Sequence, residues 1–200
     1  MKALADRLVP EETTVKAVNY YTAPVSGKID NDAPRRQQKL LAALRTVPEM
    51  HIHNGRFLYS EKWAGLIHPP RAKPDGYVWN EPAPEVVYVA KSEEKGSDVN
   101  LGVHLVRDAF TDAFDVAYVL TDDTDLVEPL RIVKDEVGKP VIVVAPDRAR
   151  SMSRPIPAPS LVKVSSGVIY IDDSDLAACQ FPSTIVRSGK PNLERPESWI

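Results

Sequence analysis

Cys179 is the only cysteine in 200 residues, so the chain has no intramolecular disulfide and no multi-cysteine zinc site. A lone thiol fits a reducing cytosol. Long apolar runs are missing too: no stretch reaches the ~18 uninterrupted apolar residues of a membrane span. The opening "MKALADRLVPEETT" has acids where a signal peptide has its apolar region. The expectation is a cytoplasmic protein with no membrane partner. Nor does charge of one sign dominate, since 25 Lys and Arg face 28 Asp and Glu, a formal net charge of -3. With no global positive field, nucleic-acid binding would need a local patch or metal ions. Repeats and low-complexity tracts are absent.

What is present is 43% hydrophobic residues, enough for a full core in one domain spanning 1–200. "MKALADRLV" reads as a short helix stopped at Pro10, and "TVKAVNYYTAPV" as a strand ended by Pro24. "APRRQQKLLAALRTVP" places Leu40, Leu41 and Leu44 on one side of a helix, and "MHIHNGRFLY" reads as a second strand. Residues 58–87, proline-rich and carrying Trp63 and Trp79, read as a surface insertion. Then come the strand "EVVYVAK", a helix over about 97–112, the strand "DVAYVL", a helix over "DLVEPLRIVKDEV" stopped by Gly138, and the strand "KPVIVVAP". This alternation predicts an α/β fold, a mainly parallel sheet covered by helices on each side. Residues 146–200 read as a C-terminal extension packing on the domain. Within it lie a mobile loop at 150–160, a strand or hairpin over "LVKVSSGVIYIDD", a short helix capped by Ser174, and an anchor ending in Trp199.

"VAYVLTDDTDLVEP" crowds Asp122, Asp123 and Asp125 where a buried strand ends. In open α/β sheets, ligands sit beyond the carboxyl ends of the strands. Neighbouring carboxylates repel and raise each other's pKa, and a cation normally holds such a group together. Hard oxygen donors suit Mg²⁺ or Mn²⁺, which keep several waters and accept phosphate oxygens. In "EEKGSDVNLGVHLVRDAF", Gly96 allows a tight turn, Ser97 is a good N-cap, and Asp98 falls in the first helical turn at the same sheet edge. Simpler roles exist for each acid: Asp98 complements the helix dipole, and Asp125 with Glu128 fits a capping box. One cap needs one side chain, however, and three acids together call for more.

The stretch "EKGSDVNLGVHLVRDAF…FDVAYVLTDDTDLVEPLRIVKDEVGKPVIVV" resembles the NYN domain family of PIN-like nucleases. That family carries a Lys-Gly-x-Asp-Val helix start, a strand ending in Ser-Gly-Asp-Ser-Asp-Phe, and a Gly-Lys-x-Val strand. The similarity covers 91–145 closely and extends through "RRQQKLLAALRTVP" and "DLAACQFPSTI…ERPESW". It implies a PIN-like three-layer α/β/α domain acting as a metal-dependent ribonuclease. By it, Asp98, Asp123 and Asp125 are the catalytic Mg²⁺ or Mn²⁺ ligands, with Lys95, Thr121 and Thr124 on the RNA side. Two departures stand out. Asp122 replaces a family glycine, and the family's first strand, with its own metal-binding aspartate, has no counterpart after Met1. The resemblance therefore implies that such a strand lies upstream in the natural protein. Without it, neighbouring strand edges are left unpaired, and a catalytically degenerate PIN-like module for RNA binding or protein interaction becomes the alternative. A phosphatase of another α/β class is a weaker rival, resting on "DDTD" alone. Homo-oligomer formation stays open.

Other residue types with chemical potential have ordinary readings beside them. His51, His53 and His104 lack evident partners in sequence. Arg35, Arg36 and Lys39 form the best basic patch, which is also what a solvated helix face looks like. Tyr20, Tyr21, Trp63 and Trp79 can stack on bases or pack the fold. Cys179, in an apolar turn, reads as an inert core thiol.

Overall fold

The computed structural model describes residues 1–28, 30–70, 75–76, 78, 81–146, 157–197 and 199. Trp79 and residues 150–156 of the expected mobile loop lie outside them. Helix α1 (Lys2–Leu8) buries Leu4 and ends before Pro10, which cannot continue it. Strand β1 (Val18–Thr22) and strand β2 (Met50–Asn54) pair in parallel, with Tyr21 opposite His53. A parallel pair needs a crossover, and helix α2 (Ala33–Leu44) supplies it, with Pro34 in its first turn where a missing N–H is harmless. Its Leu41 and Leu44 pack with Met50, Val18 and Ile52.

The expected single strand "MHIHNGRFLY" is divided at Gly55. A β-carbon there would lie 2.6 Å from the Lys95 carbonyl oxygen, so only glycine lets the chain turn against that backbone. After it come strands β3 (Arg56–Gly65) and β4 (Val86–Lys95), a long antiparallel hairpin with Arg56 opposite Lys95. Much of the expected surface insertion is thus regular sheet. Its strands lack polar/apolar alternation because neither face is fully buried.

Helix α3 (Ser97–Phe110) leads to strand β5 (Ala117–Leu120). The expected helix over "DLVEPLRIVKDEV" is a composite: a 3-10 turn at Thr124–Leu126, helix α4 (Val127–Arg131), and one π turn at Ile132–Glu136. Gly138, at φ 78°, ends it as expected. Strand β6 (Val141–Pro146) follows. The segment "LVKVSSGVIYIDD" is a helix, α5 (Pro159–Val164), plus strand β7 (Gly167–Ile171), because Pro159 starts a helix readily at its first position. Helix α6 (Asp173–Ala178) is capped by Asp172 and Asp175 reciprocally rather than by Ser174. Two short strands, β8 (Thr184–Ile185) and β9 (Leu193–Glu194), pair antiparallel.

Strands β5, β6 and β7 form a parallel sheet with β6 in the middle. Because side chains alternate across a strand, Val141 and Val143 enter one core with Leu130, Val133 and Leu161, while Val144 faces the other way onto Leu4 and Ile171. Helices therefore cover both faces, and the chain is a mixed α/β fold. β7 makes the C-terminal stretch part of this sheet, not only a cover on it. Among the described residues, β1–β2 and β5–β6–β7 are separate sheets, with α3 packed on β1 and β2 as well as on α4. No described helix is long and apolar enough to cross a membrane.

Candidate acidic site

The turn after β5 is shaped by its own polar side chains. The Asp123 amide donates to Thr121 Oγ1 at 3.0 Å, and the Asp125 amide donates to Asp123 Oδ1 at 3.0 Å, which caps the 3-10 turn. Asp123 thus takes the capping role that sequence spacing assigned to Asp125, while Glu128 is ion-paired to Arg131 at 2.6 Å. Asp122 points elsewhere: its Oδ1 accepts the Ala158 amide at 2.9 Å and ties this turn to the start of α5. Thr124 begins the 3-10 turn.

Gly96, at φ 94°, is the N-cap of α3, a left-handed conformation that disfavours other residues. Ser97, expected as the cap, is instead the first helical residue, and its hydroxyl donates to Glu94 Oε1. Asp98 follows in the first turn. Its carboxyl is held above the ordinary aspartate range, first by partial burial and then by the charges of Asp123, Glu94 and Asp125. Two segments separated by more than a helix thus share one field of negative charge. Glu94 is the member sequence reasoning missed; the "EEK" run just before Gly96 was its signal. Lys95 Nζ lies 3.6 Å from Glu93 Oε2.

Among the described residues, no three His, Cys, Asp or Glu side chains stand together closely enough to hold an ion. A closed protein cage is therefore not what the arrangement offers. Mg²⁺ commonly binds through one or two carboxylates, several waters and substrate phosphates.

The remaining candidates divide between packing and surface. Tyr20 packs against the α2–β2 core, and Cys179 packs beside Leu4 and Ile171. Arg36 pairs with Asp30 and Arg35 lies 3.6 Å from Asp32, so the basic patch is partly neutralised. Lys39 instead borders a cavity of about 310 Å³ between α2 and the C-terminal segment, lined also by Phe181, Arg195 and Trp199. Asp98, Asp122, Asp123 and Asp125 do not line it. Trp63 and Tyr88 lie ring to ring at 5.3 Å on the hairpin. His53 and His104 meet Tyr21 in a separate cluster.

Fold and site together define a mixed α/β protein in which the acids of the turn after β5 act on Asp98 at the start of α3. No family model matches the chain. It is similar to 6-hydroxy-3-succinoylpyridine 3-monooxygenase HspA from Pseudomonas putida, at 26% identity over 194 residues, which is 92% of this chain and 57% of that protein. The chain therefore spans little more than half the length of that relative. Among solved structures, it is similar to a protein of unknown function from Vibrio parahaemolyticus, with a TM-score of 0.48 and 17% identity over 86% of this chain and 78% of the other.

Proposed function

We propose that the chain is a PIN-like domain of the NYN type, with a three-layer α/β/α architecture, that hydrolyses RNA phosphodiester bonds at a site gathering Mg²⁺ or Mn²⁺. One observation supports this reading: Asp98 on α3 is held in a less acidic state first by partial burial and then by the charges of Asp123, Glu94 and Asp125, two of them in the turn after β5. Charges left to repel one another at a strand's carboxyl edge are what a cation site looks like without its cation. When bound, such an ion supplies an activated water and neutralises charge on the departing oxygen. The chain's own part is positional. Gly96 and the Gly55 contact set the start of α3 and so the direction of Asp98, while Thr121 and Asp123 hold the turn that presents Asp125. In this reading Lys95, Thr121 and Thr124 are the residues on the RNA side.

The test is cleavage of an RNA substrate with Mg²⁺ or Mn²⁺, against EDTA. Activity is expected to need the metal and to fall by at least about 100-fold in an Asp123→Asn, Asp125→Asn double variant, beyond what loss of an outer-shell partner costs. Full activity in that variant overturns the reading. RNA binding that survives EDTA without turnover identifies the non-catalytic module instead.

The similarity to the monooxygenase supports a second reading, in which this chain contributes a domain to an enzyme acting on a heteroaromatic acid. Oxygen-dependent conversion of 6-hydroxy-3-succinoylpyridine, followed by chromatography, tests it. No conversion by the active, purified chain removes it.

A further inference from the structure

We propose that Tyr21, His53 and His104 form a pH-sensitive latch, which holds α3 on the β1–β2 pair while both imidazoles are neutral and loosens when acid charges them. Tyr21 and His53 are directly opposite in the β1–β2 ladder, and their rings stack at 4.9 Å with an 18° tilt. His104 descends from α3 and meets His53 edge-on, ring centroids 4.6 Å apart at 63°. The Tyr21 hydroxyl lies 3.2 Å from His104 Nδ1, and His53 Nε2 lies 3.0 Å from Asn19 Oδ1. Asn19 Oδ1 accepts a hydrogen bond from the His53 Nε2–H. With His104 neutral and its Nδ1 bare, the tyrosine hydroxyl donates to it; in the other tautomer the hydroxyl accepts from Nδ1–H. Two neutral rings satisfy every contact.

Charging both rings places two cations less than 5 Å apart inside a half-buried seam, and the surroundings add to the cost. His51 lies two residues before His53 on the same face of β2, and Arg107 lies one turn past His104. Of the neighbouring groups only Asp108 favours protonation of His53, and its carboxylate is already bound to Arg107 at 2.6 Å. Burial, then His104, His51 and Arg107 hold His53 below the ordinary histidine range. A histidine lowered on folding binds more protons in the unfolded chain, so acid begins to destabilise the seam near the unfolded value of about 6.5 and continues until the folded value is passed. The same helix carries Gly102 against Pro129 on another side, an apolar contact that pH does not change. Loosening is therefore confined to the β1–β2 side of α3. This device stands apart from the nuclease reading and needs no metal.

Histidine ring signals followed by NMR through a pH titration of the chain test it, together with amide-exchange protection of residues 97–110 at neutral and mildly acid pH. His53 is expected to titrate below the ordinary histidine value, and its midpoint is expected to rise in His104→Gln. Protection in α3 is expected to drop by about tenfold per pH unit of the shift on acidification, and to change little in a His53→Gln, His104→Gln double variant. A His53 midpoint at or above the ordinary value in the unaltered chain overturns the proposal whether or not the variants fold. So does an unmoved midpoint in His104→Gln, or equal acid loss of α3 protection in the double variant.

Discussion

Strands β6 and β4 have similar compositions and opposite fates. "VIVVAP" keeps Val141 and Val143 at 0% exposure, whereas "VVYVAK" leaves Val86 at 52% and Tyr88 at 58%. Both are rich in β-branched residues, as strands are. β6 has β5 on one side, β7 on the other and apolar clusters on both faces; among the described residues, β4 pairs with β3 alone. Composition makes a segment extend, but neighbours decide whether its side chains contribute to stability. The hairpin's exposed pair of Trp63, at 68%, and Tyr88 is the visible consequence.

Leu130→Ala should break the comparison most clearly. Leu130 sits fully buried under β6, so its truncation is expected to cost about 2–5 kcal/mol in chemical denaturation, against roughly 0.5 kcal/mol or less for Trp63→Ala. A Trp63 cost equal to that of Leu130 means the hairpin face is covered, and the contrast fails. Next come two glycines at opposite ends of the hairpin. A β-carbon at Gly55 meets the Lys95 carbonyl at 2.6 Å, so Gly55→Ala is expected to cost about 1–3 kcal/mol, while Gly65→Ala, with open space around it, is expected to be near neutral. Equal effects would show that the Gly55 contact does not set the approach of β3 to α3.

Tyr21 sharpens the contrast between seam and surface. Burial, then Asp108, push its phenol up to about 12. A tyrosine raised on folding keeps the unfolded chain deprotonating first, so stability falls as pH climbs from the ordinary value of about 10 toward 12. Ultraviolet titration should show one phenol ionising late, and Tyr21→Phe should flatten the alkaline decline. The smallest effect is expected at Asp98. Its raised carboxyl means that ionisation works against the folded state, with stability falling as pH rises through the folded value. Asp98→Asn should therefore leave the fold at neutral pH slightly more stable while abolishing the proposed cleavage. A loss of stability would mean that Asp98 has an attractive partner, and thermal unfolding at two pH values distinguishes these outcomes.

Much of the central region was legible in the sequence. The helix over 97–110, the glycine before it, the buried β6 and the stop at Gly138 all follow from periodicity and backbone preference, which are local. Asp98 and the turn at 121–125 were expected on one sheet edge through a parallel crossover; the strand before α3 instead belongs to the β3–β4 hairpin, and what links the two places is the charge of Asp123 and Asp125 acting on Asp98. Glu94 was not expected there, because its action on Asp98 depends on how the hairpin feeds α3. Asp122 was grouped with its neighbours and instead holds Ala158, a partner 36 residues away. The hairpin escaped notice because its register is set by cross-strand neighbours rather than by its own pattern.

By itself the sequence determined where the chain bends, which segments extend or coil, and where acids interrupt an apolar run, because these depend on backbone sterics and side-chain periodicity within a few residues. Only the tertiary structure decided which acid caps and which act on Asp98, that two histidines and a tyrosine from three elements meet in one seam, and that one β-rich hairpin stays exposed while another strand disappears into the core. Those outcomes depend on desolvation and charge between residues far apart in the chain, and distance along a sequence carries no record of distance in space.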